Sequence, residues 1–190
     1  MKKWLLPVAL GTVTLSACSV AFVLSLTSTM QIRTEYRTAG GTFVGCDRVT
    51  NLNGTESSTT LVALKFNTNA DLDALELGLY SETRQKVDDK FRTSVPASSL
   101  SSDATSYSFV FRADSQTNPL PASVDKQAIV VVPKGEDKVK TVTVSNKVGD
   151  FRGWVRATAD NVTATFTSGA KVPVYQSCTV TQITNENIAF

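Results

Sequence analysis

The chain has 190 residues, 42% of them hydrophobic and 19% charged, which is enough for one domain with a core and short for two. It contains no histidine and only three cysteines. Histidine-based nucleophile activation, histidine metal ligands and a four-cysteine zinc site are therefore excluded. The net charge of +2 comes from Lys2 and Lys3, and the rest of the chain carries 17 basic and 17 acidic residues, so it lacks the basic footprint that nucleic acid requires.

The N-terminus comes first in chain order. Met1–Lys3 form a short positive head and Trp4–Leu15 an apolar stretch, the first two parts of a secretory signal peptide. The next residues, Leu15-Ser16-Ala17-Cys18, resemble the lipobox of bacterial lipoproteins. That resemblance implies cleavage before Cys18, diacylation of its thiol and acylation of the new amino group. Residues 1–17 are then a lipoprotein signal peptide and 18–40 a lipidated tether that starts apolar at Val20–Leu26 and ends at Gly40-Gly41. Residues 41–190 form the domain. The implied location is the cell envelope, with Ser19 favouring the outer membrane in a host with two membranes. An alternative is an uncleaved signal anchor, because Trp4–Leu26 is 23 uncharged residues, long enough as a helix to span about 30 Å of hydrocarbon. A prepilin-type leader cut at Gly11 would need a glutamate where Ser16 stands.

With Cys18 lipidated, Cys46 and Cys178 remain as a pair in an oxidising compartment. Both fall on apolar strand faces, Cys46 with Val44, and Cys178 with Val172, Val174 and Val180. A Cys46–Cys178 disulfide is predicted, tying the first strand of the domain to the last.

The chain holds 25 Thr, 19 Ser and 23 Val, a composition of strands and turns. Predicted strands are Thr42–Val49, Thr60–Asn67, Asp73–Tyr80, Ser106–Arg112, Gln127–Val132, Lys138–Ser145, Gly153–Ala159, Val162–Thr167 and Lys171–Thr184. In the second, Leu61-Val62-Ala63-Leu64 is apolar on both faces. Pro173 predicts that the last strand starts on an edge. Residues 82–92 read as one or two polar helical turns, and Ser94–Ser102 and Asp114–Ser123 as loops. The fold class is all-β, a single antiparallel β-sandwich behind the anchor segment. The run Ile129–Glu136 followed by Lys140–Val144 resembles the strand–turn–strand of bacterial immunoglobulin-like domains. That resemblance implies an immunoglobulin-like sandwich, although the cysteine pair departs from the usual bridge of such domains.

Three constellations bear on chemistry. Arg152, Trp154 and Arg156 share one strand face, with Phe151, Gly153, Val155 and Ala157 on the other. Guanidinium groups flanking an indole suit a glycan, another small molecule or an acidic patch, whereas a buried sandwich tryptophan gives the same pattern. Asn67, Asn69, Asp71, Asp73 and Glu76 offer oxygen ligands for calcium, but Tyr80 stands where an EF-hand places its closing glutamate. Asp88-Asp89 are paired carboxylates whose adjacency turns them to different faces, against the groove geometry of a glycosidase. The sequons Asn53-Gly54-Thr55 and Asn161-Val162-Thr163 read as turns.

No cofactor or metal is implied, and no enzyme. The expected function is a non-catalytic envelope lipoprotein, an interaction or scaffolding subunit of a cell-surface or outer-membrane assembly. Its partners are the membrane, through the lipid, and another envelope protein. The alternative is a small-molecule or glycan-binding lipoprotein that uses the Arg152/Trp154/Arg156 face. The tail Asn185–Phe190 ends apolar and could add a strand to a partner, fray or tuck back.

Overall fold

Inner-face alternation builds the first of two sheets. The computed structural model describes residues 22–95, 105–114 and 137–190, with the side chains of 88–91 and 114 left out. Strands β1 (Gln31–Thr34), β5 (Thr59–Asn67) and β8 (Ser106–Asp114) form an antiparallel three-stranded sheet. Its cross-strand pairs Val62–Phe111, Leu64–Phe109 and Phe66–Tyr107 are all buried on one face. Such apolar pairs are the unit of sheet stabilisation. Phe66 and Tyr107 stack at 5.4 Å, and the Tyr107 hydroxyl accepts the Leu72 amide at 3.0 Å, so the phenol is buried without losing its partner.

The second sheet is organised by β9 (Lys138–Ala159), a continuous strand of 22 residues. The C-terminal half of β9 pairs on one edge with β6 (Ala74–Ser81), which in turn pairs with β7 (Lys86–Val95). Its other edge is lined first by β10 (Val162–Thr167) and then by β11 (Val172–Asn187). Leu75, Leu77 and Leu79 of β6, with Phe151, Val155 and Ala157 of β9, face the inner side of the first sheet and complete the main core. At Gly153 a Cβ would lie 2.3 Å from Leu64 Cδ2 and 3.4 Å from Ile32 Cδ1. Glycine there lets the two sheets approach.

The N-terminal half of β9 takes part in a closure. It pairs in parallel with β2 (Tyr36–Thr38), which forms a hairpin with β3 (Phe43–Thr50). A short strand β4 (Glu56–Ser57) lies on β3. Strand β3 runs parallel to β11, and β11 is antiparallel to β9. The pairings β9–β2–β3–β11–β9 thus close into a four-stranded ring. Inside it sit Tyr36, Val44, Cys46, Val49, Val142, Cys178 and Val180. The Cys46–Cys178 disulfide crosses this interior, with Cα atoms 5.9 Å apart, and matches the predicted pairing.

All-β architecture in two sheets agrees with the sequence reading, and among the described residues there is no helix. The pairing is mixed, however, since β2–β9 and β3–β11 are parallel. Strand Phe43–Thr50, expected to be first, is the third. Residues 82–92 are not helical turns: β7 begins at Lys86, and its polar sequence is that of a strand bonded to β6 alone among the described residues. The two strands predicted at Lys138–Ser145 and Gly153–Ala159 are one. The stretch expected to be a spacer joins the body from Leu24 onward, where Leu24, Met30, Ile32 and Tyr36 are buried and β1 and β2 form. Pro173 pairs with Asp150 of β9 one residue before pairing to β3 begins, so the start of β11 is an edge as predicted. The predicted strand Gln127–Val132, the loop residues 96–102 and 115–123, and residues 1–21 with Cys18 lie outside the described residues.

Candidate functional site

The face predicted for Arg152, Trp154 and Arg156 exists, on the outer side of β9. Alternation sends Phe151, Gly153, Val155 and Ala157 into the core and leaves these three opposite. Trp154 lies between Gly78 of β6 and Thr167 of β10 and is only 8% exposed. Arg152 is engaged on both sides: its Nε meets Glu82 at 2.5 Å, and Nη1 donates to the carbonyl oxygens of Ser168, at 2.9 Å, and Gly169. Arg156 is the most exposed of the three and stands 3.7 Å from Glu76, which is also 3.9 Å from Arg92 of β7. A pocket of about 180 Å³ opens here, lined by Leu75, Glu76, Ser94, Val95, Arg156 and Thr158.

The oxygen-rich segment after β5 is used structurally. Asn69 accepts the Ser25 amide at 2.8 Å and donates to the Val23 carbonyl at 2.7 Å, and Asp73 accepts the Asp160 amide at 2.9 Å. These side chains stitch the N-terminal segment and the β9–β10 turn to the body. Among the described residues no cluster of three metal-ligating side chains occurs. Asp88-Asp89 fall within β7, and their side chains are outside the described residues.

Two polar centres escaped sequence reasoning because their partners lie far apart in the chain. Glu35, between β1 and β2, is buried, accepts the Leu61 amide at 2.8 Å and pairs with Lys140 at 2.7 Å. It therefore joins the three-stranded sheet to the ring. Beside it, Tyr36 donates its hydroxyl to the Thr59 carbonyl at 3.1 Å. Burial above all, with the charge of Glu35 and hydrogen bonding to it added, pushes its ionisation well above the ordinary tyrosine range. The second centre is Arg33, which donates to the carbonyl oxygens of Ile188 and Ala189 and stands 4.2 Å from the centre of the Phe190 ring. Glu186 bridges Arg33 at 3.3 Å and Arg37 at 2.7 Å. The tail is thereby folded back over Leu61, Ala63 and Val110, the second apolar face read in β5.

An apolar surface is left open on the ring. Leu52 and Ile183 are 57% and 53% exposed and, with Asn51, Asn53, Thr55, Lys140 and Val180, line a groove of about 370 Å³ on the ring. Among the described residues no helix is long and apolar enough to cross a membrane. Compared with protein families, curated proteins and solved structures, the chain shows no match.

Proposed function

We propose that this is a non-catalytic, lipid-anchored envelope protein, a scaffolding or interaction subunit of a cell-surface or outer-membrane assembly. One observation carries the reading: the Cys46–Cys178 disulfide crosses the interior of the ring. Such bonds persist in oxidising compartments, which supports export. The pairing also leaves Cys18 as the odd cysteine, at the end of the lipobox-like Leu15-Ser16-Ala17-Cys18. Each buried acyl CH₂ contributes about 0.8 kcal/mol, so one chain holds a protein reversibly and two or three hold it stably. The Leu52/Ile183 groove gives a partner an apolar surface to cover. The immunoglobulin-like character of the sandwich belongs to the same proposal. Two facing sheets and a core disulfide support it, while the parallel pairings set the topology apart.

The test is purification of the native chain from membranes in mild detergent, followed by intact mass. The expected result is a chain that starts at an acylated Cys18 with a stoichiometric envelope partner whose retention is lost in Leu52→Asp. A lone acylated chain would overturn the scaffolding role. The second reading, glycan or small-molecule binding at the Arg152/Trp154/Arg156 face, is favoured by the pocket beside Arg156 and Glu76. Saturable glycan binding abolished by Arg156→Ala would establish it instead.

A further inference from the structure

We infer that the folded body rests directly on the membrane surface, with the end of the sandwich around Val23 and Asn69 turned to the lipid headgroups. The inference builds on the acylation of Cys18 proposed above. It starts from where the folded body begins. Leu24 is 4% exposed, the Ser25 amide and Val23 carbonyl are both bonded to the Asn69 side chain, and the Thr27 amide donates to Asn67 at 2.9 Å. The body therefore starts at Val23 or Leu24, and the spacer available to an acylated Cys18 is five residue steps. A fully extended chain covers at most about 3.6 Å per residue, so this spacer reaches about 18 Å at full stretch. The headgroup region takes up about 5–8 Å of that on each side of a bilayer. The Val23 end can therefore stand no more than roughly a nanometre above the headgroups.

The surface at this end agrees with such a position. Phe22 and Val23 are 38% and 67% exposed, apolar side chains next to the anchor. Among the described residues, the charged side chains around Asn69 and the β9–β10 turn are acidic: Asp71 and Asp73 follow Asn69, and the Asp160 amide is bonded to Asp73. Electrostatic attraction to anionic lipid is thus not what holds this end down. The covalent anchor and its short reach hold it, and the contact should survive high salt. The ring lies at the other end of the sandwich. Thr60 bonds to Cys46 at the start of β5, and Asn67 bonds to Thr27 at its finish, seven residues or about 23 Å further along. The Leu52/Ile183 groove, which belongs to the ring, would then face away from the bilayer.

The experiment uses the full acylated chain in phosphatidylethanolamine/phosphatidylglycerol vesicles that carry a headgroup nitroxide lipid. A fluorophore is placed through Asp71→Cys, through Thr163→Cys as a second reporter of the same end, or through Leu52→Cys on the ring. Quenching at 71 and 163, at least threefold stronger than at 52 and unchanged by salt, is expected. Inserting twenty Gly/Ser residues after Ser19 gives a spacer of about 25 Å root-mean-square length and should bring the quenching at 71 and 163 down to the level at 52. If the chain is acylated by mass and floats with the vesicles, yet 71 and 163 are quenched no more than 52, the orientation is wrong while the lipoprotein reading stands. If the mass shows no acyl chains, both fall together.

Discussion

Replacing Cys46 and Cys178 together by alanine is the perturbation whose size follows most directly from the structure. The two residues are 132 apart in sequence. In the chain-entropy model a closed loop of that length stabilises the fold by about 5 kcal/mol, by restricting the unfolded chain. The folded ring keeps its four strand pairings without the bond, so the loss should arise mostly in the unfolded state. Domains of this kind have total stabilities of about 5–15 kcal/mol, so a loss of this size is a large part of the whole. Urea unfolding followed by circular dichroism reads it out. The double variant should lose about 4–5 kcal/mol, with a steeper denaturant dependence because the uncrosslinked unfolded chain exposes more surface. The double variant is preferred to either single one, which would leave a buried thiol without its partner. A loss under about 1 kcal/mol with an unchanged slope would refute the reasoning, since the bond would then not be constraining the denatured chain.

Three further outcomes are expected. Glu35→Ala strips the Leu61 amide and Lys140 of their acceptor and should cost about 3 kcal/mol in urea unfolding, the low end for a broken buried pair because Lys140 still meets water. Glu35→Gln, which keeps an acceptor for the amide, should cost clearly less, and equal costs would refute this assignment. Gly153→Ala drives a methyl into Leu64 and should cost about 1–3 kcal/mol by overpacking, seen as a lowered melting temperature, with Gly41→Ala, where the space is open but φ is +87°, as a contrast governed by backbone strain alone. Tyr36 holds its proton more tightly when folded than when unfolded, so its contribution is complete below the unfolded value near 10 and is lost as pH rises above it. Stability should therefore fall by up to about 1.4 kcal/mol per pH unit above pH 10, and Tyr36→Phe should flatten that slope.

Elements with an unbroken period of two were legible in the sequence. Val162–Thr167 is found with its predicted bounds, and Ala74–Ser81 is displaced by one residue. The cysteine pairing was legible because parity and the redox argument agreed. Elements whose stability comes from partners were not legible. The middle of β9, around Asn146–Asp150, is polar and largely exposed, and Asn146 has a positive φ, so the segment reads as a loop. It remains a strand because β11 follows it with register shifts. The segment before Gly40 reads as a spacer because its inward positions after Ile32 include the polar Thr34 and Glu35, which are held by hydrogen bonds to distant partners rather than by an apolar repeat. No local signal marks Glu35 for Lys140, 105 residues away. The outer face of β9 was predicted correctly as a face, yet the pairing of Arg152 with Glu82 and the near-complete burial of Trp154 depend on β6, β10 and the Ser168–Gly169 turn.

How the proposed partner would dock can be decided by comparing two costs. Donation of the C-terminal tail as a strand requires Arg33 to release the Ile188 and Ala189 carbonyls and the Phe190 ring, and Glu186 to release Arg33 and Arg37. Hydrogen bonds to a charged group contribute about 1.5–3 kcal/mol each, so opening the tail loses several kcal/mol and also uncovers Leu61, Ala63 and Val110. Each new main-chain hydrogen bond to a partner would return about 0.5–1.5 kcal/mol net, and the apolar end of the tail is only three residues long. Release therefore costs at least as much as strand addition recovers. The Leu52/Ile183 groove is already open and needs no such release. It lies on the ring that the disulfide stiffens, so little ordering cost attends binding there. On these magnitudes the proposed partner would bind the groove and leave the tail folded. Arg33→Ala should accordingly loosen hydrogen-exchange protection at the Ile188 amide, which donates to Asp137, without weakening partner retention.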